Sequence, residues 1–392
     1  MKRHEIIICS IIFLACSLFA ADTASVGLRG THLVNLPKLI WDQPKAYAVT
    51  SHCSSKPAIA GLAQAQDASL RKLATYQTAC GSFASSTLMV FTDMPKDSKE
   101  AVTMADQMAT TLKEYQKYRV TPLVIVEPVA SWGFVDFSDF RSGLYDPWIM
   151  AYFAELKHDG ITDSAMGTWV PFPEANLPYW NSQSVKPEDF GYLINDYVGM
   201  QKHYFPDSKS SIMLNSATYS STDFNWANGE YISLIPYVKN IQHGLVDSFG
   251  LQGFPWAPRA SQSGNGIYDA GEYLDPNLAK EAADYLGVKQ IWLNTGSFAR
   301  KYTLDDKDTI TVSPEKRKDI LGGAIDQAIK LQKQGYQVSI NLFAQDKSTV
   351  DEATDWSYWG PDGPLHSPAA TVFNEFATKL NQAKIGLWIF DI

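Results

Sequence analysis

A glutamate stands between prolines and aromatic residues in the run Thr168-Trp169-Val170-Pro171-Phe172-Pro173-Glu174-Ala175-Asn176, with Tyr179 and Trp180 close behind. Apolar neighbours strip water from a carboxyl and raise its pKa, because the charged form loses most by desolvation. A carboxyl that keeps its proton near neutrality can act as a general acid. Glu174 is therefore the first candidate catalytic residue.

Further carboxylates and amides recur along the chain, each just after an apolar run. They are Asp93, Glu127, Asn215, Gln252, Asn294 and Asn341. Glu127, in Val124-Ile125-Val126-Glu127-Pro128, is the best second carboxylate, with Asp93 and Asp346 as weaker candidates. A carboxylate there can equally serve only to position a neighbour. Aromatics gather in the same stretches, among them Trp132, Trp169, Tyr179, Trp180, Trp256, Tyr358 and Trp359. Amides pair with hydroxyl groups, and a flat indole covers an apolar C–H face. Such a mixture suits a neutral, polyhydroxylated ligand, touched by Asp93, Asn176, Trp180, Asn215, Gln252, Trp256, Asn294 and Trp359.

The elements that must carry these residues follow one rhythm. Apolar runs fall at 88–91, 122–126, 168–172, 212–214, 249–254, 290–293 and 338–343. Continuous rather than alternating apolar runs are expected of strands covered on both faces of a parallel sheet. Between them lie helical patterns. The clearest, over 315–334, places Leu321, Ala324, Ile325, Ala328 and Ile329 on one face, after Ser313-Pro314 and before Gly335. Asp275-Pro276 and Gly287 frame another helix, and Asp159-Gly160 ends a third. Residues 302–312, with acidic residues at their centre, have the pattern of a hairpin. Seven strands need one more, at 26–32 or 46–52, to close a single α/β barrel, a (β/α)8 fold with long loops on its C-terminal face. Functional residues then collect at the strand ends, on one rim. Asp247, at the start of a strand, is expected at the opposite end.

Composition narrows the field. The chain has 392 residues, with 33 Lys and Arg against 42 Asp and Glu, a net charge of −9. That balance argues against nucleic acid and anionic lipid as partners. Forty-five per cent hydrophobic residues allow a large core, and 49 aromatic side chains (11 Trp, 19 Tyr, 19 Phe) exceed what a core of this size demands. Met1-Lys2-Arg3-His4 and the apolar stretch behind it have the pattern of an export signal, cut near Ala20 or Ala21, which leaves 21–392 as one domain. The expected location is periplasmic or extracellular; lipid anchoring through Cys16 is the lesser alternative. Cys53 and Cys80 are then expected to form a disulfide. No later segment can span a bilayer. Scattered histidines give no paired-ligand spacing, so neither a metal nor a cofactor is expected in the chemistry. Residues 261–272 have the outline of a calcium loop, but Ser replaces two of its anionic positions, and a surface turn is the better reading. A monomer is expected.

Residues 168–180, the strand rhythm and the Trp-rich segment 355–359 together resemble glycoside hydrolase clan A, and within it family 26, the β-mannanase-like enzymes. In those enzymes the fourth strand ends in a Glu, followed two residues later by Asn and then by aromatics. The resemblance implies that Glu174 is the acid/base that protonates a glycosidic oxygen. It implies a polysaccharide or oligosaccharide substrate and an endo-β-mannanase or β-glycanase type of activity. The chain departs from the family at two places. Pro173 stands where the family has His and the wider clan Asn. The seventh strand, Gln290-Ile291-Trp292-Leu293-Asn294-Thr295, lacks the carboxylate that serves as nucleophile. Two readings follow: a hydrolase, or a barrel that binds glycans without cleaving them.

Overall fold

Strongly apolar stretches rich in Val, Ile, Leu and Phe become strands here, and amphipathic stretches become the helices that cover them. The computed structural model describes residues 49–50, 59–68, 70–71, 74, 86–130, 133–176, 186–216, 233–253, 274–296, 301–304, 308–311, 314–344, 354–355 and 386–391. The export signal, Cys16, Cys53, Cys80, Trp132, Trp180, Trp256, the calcium-like turn, Asp346, Tyr358 and Trp359 lie outside these residues.

Among the described residues the main sheet has nine strands: β1 (Val49–Thr50), β2 (Ser86–Thr92), β3 (Val120–Val126), β4 (Thr168–Pro171), β5 (Lys209–Asn215), β6 (Ser248–Gln252), β7 (Gln290–Gly296), β8 (Gln337–Ala344) and β9 (Gly386–Asp391). Their order across the sheet is β2-β3-β4-β5-β6-β7-β8-β9-β1. Every neighbouring pair from β2 to β9 is parallel, and only β1 runs antiparallel, against β9. The two edges curl back to one another: β2 comes within 8 Å, Cα to Cα, of residues in both β9 and β1. The fold is an α/β barrel.

Strands β2 to β8 fall on the seven apolar runs predicted above. Among the described residues β9 supplies the eighth parallel strand. Of the two predicted places, 26–32 lies outside those residues, and within 46–52 the described pair Val49–Thr50 is the short antiparallel β1. Counting the described parallel strands alone, Glu174 follows the third in chain order. In the same count the strand carrying Asn294-Thr295 is the sixth, and β8 is the seventh.

Helices α1 (Ser98–Lys117), α2 (Asp146–His158), α3 (Pro187–Tyr204), α4 (Pro276–Leu286) and α5 (Pro314–Lys333) connect successive strands. Their ends follow the residues that favour helix termini. The Asp97 side chain accepts from the Glu100 N–H at 2.8 Å, and that of Asp275 from the Asn277 N–H at 2.8 Å. Gly287 closes α4 in the left-handed conformation, φ 74°. Alternate strand residues (Val124, Val126, Trp169, Ile212, Leu214, Phe249, Leu251, Ile291, Leu293) pack outward against these helices in one core. Their neighbours in sequence, Leu123, Ile125, Val170, Met213 and Trp292, are equally buried on the inner side. This two-sided burial is why the runs are unbroken. Lys301–Leu304 and Asp308–Thr311 form the predicted hairpin after β7, joined by Thr354–Asp355 as a third strand.

Asp247 lies at the start of β6, as expected. It accepts from the Ser210 N–H at 2.9 Å and pairs with Lys209 at 3.1 Å and Lys202 at 3.4 Å. This cluster is at the end of the barrel opposite the rim that carries Glu174.

Candidate active site

The turn that follows β4 is anchored on both sides. The Phe172 N–H donates to Val126 O of β3 at 2.9 Å, and the Glu174 N–H donates to Met213 O of β5 at 2.8 Å. Phe172 and Glu174 both have left-handed backbone, φ 52° and 55°, on either side of Pro173. For residues with a Cβ this conformation costs about 1–3 kcal/mol each and persists only where packing enforces it. The enforcing contacts are aromatic. The Phe172 ring meets Phe140 at 5.2 Å, Tyr197 at 5.5 Å and Phe137 at 5.7 Å, all edge to face.

This arrangement corrects one expectation. Trp169 does not stand on the rim: it is fully buried on the outer side of β4, against Phe153 at 5.3 Å and Tyr152 at 6.1 Å. Its indole N–H donates to Met166 O at 3.0 Å. Part of the aromatic surplus thus supports the turn from behind.

Glu174 itself is 1% exposed. Its Oε1 accepts two hydrogen bonds, from Asn215 Nδ2 and Gln252 Nε2, each at 2.6 Å. Its Oε2 is buried without a hydrogen-bond partner among the described residues. Burial pushes the carboxyl up to about 8, against the opposing pull of the Asn215 and Gln252 amides. At neutral pH it is mostly the neutral acid.

The donors belong to a wider pattern. Asn215 of β5 is in register with Gln252 of β6, Gln252 with Asn294 of β7, and Asn294 with Asn341 of β8. Four adjacent strands therefore carry an amide residue at one level. Gly250 makes room for part of this row. A Cβ there would lie 3.2 Å from Asn294 Nδ2 and 3.4 Å from Ile212 O. Beyond the strand ends the ladder continues, with Ser216 N–H to Gln252 O at 2.7 Å and Gly253 N–H to Asn294 O at 2.9 Å.

Asn176 is also buried, and its amide faces a backbone. Its Oδ1 accepts the Asn215 N–H at 2.9 Å while its Nδ2 donates to Asn215 O at 2.6 Å. Sequence spacing placed Asn176 near Glu174 but could not show that its amide engages the residue that holds Glu174. Asp93 and Glu127 follow β2 and β3, both half-buried, and the Glu127 N–H donates to Thr92 O at 2.9 Å. Of the sequence candidates, the structure joins Glu174, Asn176, Asn215 and Gln252 into one bonded group. Asn294 is the next member of the row, and Asp93 and Glu127 lie on neighbouring strand ends. The left-handed pair at Phe172 and Glu174 was not anticipated. Its only sequence trace is a proline between two residues that cannot easily adopt that conformation.

Among the described residues, one group of side chains could ligate a cation: Glu155, His158 and Asp159. It sits at the C-terminal end of α2, just before β4 begins, so it belongs to the end of the barrel away from Glu174.

No protein-family model matches the chain, and no curated protein matches it by sequence. Solved structures do. A family 1 β-glucosidase from Thermotoga maritima is 12% identical, covers 79% of this chain and 85% of its own, and has a TM-score of 0.47. The same species' β-glucosidase in complex with deoxynojirimycin has 12% identity, the same coverage and a TM-score of 0.46. Virulence factor SghA from Agrobacterium tumefaciens is 11% identical over 74% of this chain and 82% of its own, with a TM-score of 0.43. The family 1 label differs from the family that residues 168–180 resemble.

Proposed function

We propose that this chain is a glycoside hydrolase acting on a neutral polysaccharide or oligosaccharide, with Glu174 as the general acid/base. The observation that carries the reading is the state of Glu174. It is a neutral carboxylic acid at the rim of an α/β barrel, held by amides rather than cations among the described residues, with its second oxygen unpartnered among them. A general acid must carry its proton near the working pH and have an oxygen able to present it. The neighbouring amides suit hydroxyl-bearing ligands and offer no charge to an acidic sugar. Glu127 is the proposed second carboxylate, as nucleophile or as the base that activates water. A β-mannan or related β-glycan, cleaved internally, is the proposed substrate class. Export to the periplasm or beyond, with a Cys53–Cys80 bridge, would place the protein where such polymers occur.

Reducing-end release from a panel of β-mannans, β-glucans and aryl β-glycosides tests this reading. Activity should fall above about pH 8, as the acid loses its proton. Glu174→Gln should lower turnover by a factor of 100 or more, within or beyond the range of about 10²–10⁴ typical of general acids, with sugar binding retained. Undiminished turnover in that variant would refute the assignment.

One observation favours a second reading, a barrel that binds glycans without cleaving them. Asn294 and Thr295 are fully buried and uncharged, at the strand end to which the resemblance in sequence assigns the nucleophile. Retention on polysaccharide affinity gels with no product release from the whole panel would favour it.

A further inference from the structure

Both hydrogen bonds that reach the Glu174 carboxyl end on the same oxygen. Asn215 Nδ2 and Gln252 Nε2 are amide nitrogens, which donate and do not accept. Oε1 must therefore accept twice, and both of its lone pairs are engaged. A hydrogen on Oε1 as well would crowd three hydrogens around one oxygen, so the neutral carboxyl favours its hydrogen on Oε2, which has no partner among the described residues.

The donors are themselves held. Gln252 is bound into the ladder on both sides, in register with Asn215 and Asn294, and its carbonyl accepts the Ser216 N–H at 2.7 Å. Asn215 ends its strand and is fixed differently. The Asn176 amide engages both of its backbone groups, at 2.9 Å and 2.6 Å, much as an adjacent strand would. That two-point contact sets the direction in which the Asn215 side chain leaves the backbone.

We propose that Asn215 and Gln252 form a clamp that confines the acidic hydrogen of Glu174 to Oε2, and that Asn176 is the positioning residue that braces the clamp. The functional weight of the clamp rests on Glu174 being the acid. Without it the hydrogen would be shared between two oxygens, and only the unpartnered one can pass it to a ligand.

Infrared difference spectroscopy of the full chain, wild type minus Glu174→Gln at pH 6, isolates the C=O stretch of this single carboxyl. The clamp predicts a low-frequency band, that of a carbonyl accepting two hydrogen bonds. A high-frequency band, that of a bare carbonyl at Oε2 with the hydrogen on Oε1, would overturn it. Asn176→Ala should move the band to higher frequency and raise its titration midpoint by about one unit, since an N–H that stabilises the ionised form is lost. If that variant does not fold, Asn176→Ser serves the same comparison. An unchanged band and midpoint in a folded variant would remove the brace. No substrate enters the measurement, so the clamp and the proposed hydrolysis fail separately. A low band in an inactive chain refutes only the reaction, and a high band in an active chain refutes only the clamp.

Discussion

Glu174 is held at odds with its ordinary chemistry, and this has a measurable effect on stability. In the unfolded chain the carboxyl titrates at its usual value of 4.5; in the fold it does so at about 8. Below 4.5 both states hold the proton and the burial adds no ionic penalty. Between the two values the unfolded chain releases its proton while the folded one keeps it, so stability falls as pH rises. Above about 8 both are ionised and the full penalty remains, on the order of 5 kcal/mol. Glu174→Gln removes this dependence. Its stability gain over wild type, measured by urea unfolding, should be small at pH 4, grow through neutrality and level off above pH 8. A constant difference across that range would show that Glu174 is not buried as the neutral acid. Such a gain at the expense of activity is a common mark of functional groups. The apolar character of the 168–176 segment made Glu174 legible from sequence. The partnership of Asn176 with Asn215 was not, because spacing along the chain says nothing of where an amide points.

Strands proved the most legible elements, for a physical reason. Residues of β3 to β7 are covered by helices on one side and by the barrel interior on the other, so both parities must be apolar. The same reason explains where reading failed. Trp169 lies one residue after the start of β4, a position that sequence alone assigns to either face, and it packs outward. Trp169→Ala should destabilise the fold by about 3–5 kcal/mol in urea unfolding, as the loss of a fully buried large aromatic does. It should leave the titration midpoint of Glu174 in place, because the helix side of β4 and the rim are separated by the strand itself. A shifted midpoint would mean that the aromatic layer sets the acidity as well as the stability. β9 escapes a sequence reading because a six-residue run, Gly386–Asp391, is too short for its period to separate strand from helix.

At the scale of the molecule, barrel closure depends on that missed strand. β9 pairs with β8 on one side and with β1 on the other, and it approaches β2. Proline cannot donate to a ladder, so Ile389→Pro, within both ladders of β9, should abolish the single cooperative thermal transition. Retention of that transition would assign β9 a peripheral place. Among the described residues no helix is long and apolar enough to cross a membrane. The edges that meet at closure come from the first and last parallel strands, so nearly the whole sheet must assemble before they find each other. Contacts this distant in sequence form slowly. Throughout that delay β2 and β9 expose unpaired N–H and C=O rows to any other unfinished copy. Closure and self-association therefore compete, and the winner is set by how crowded the folding chains are.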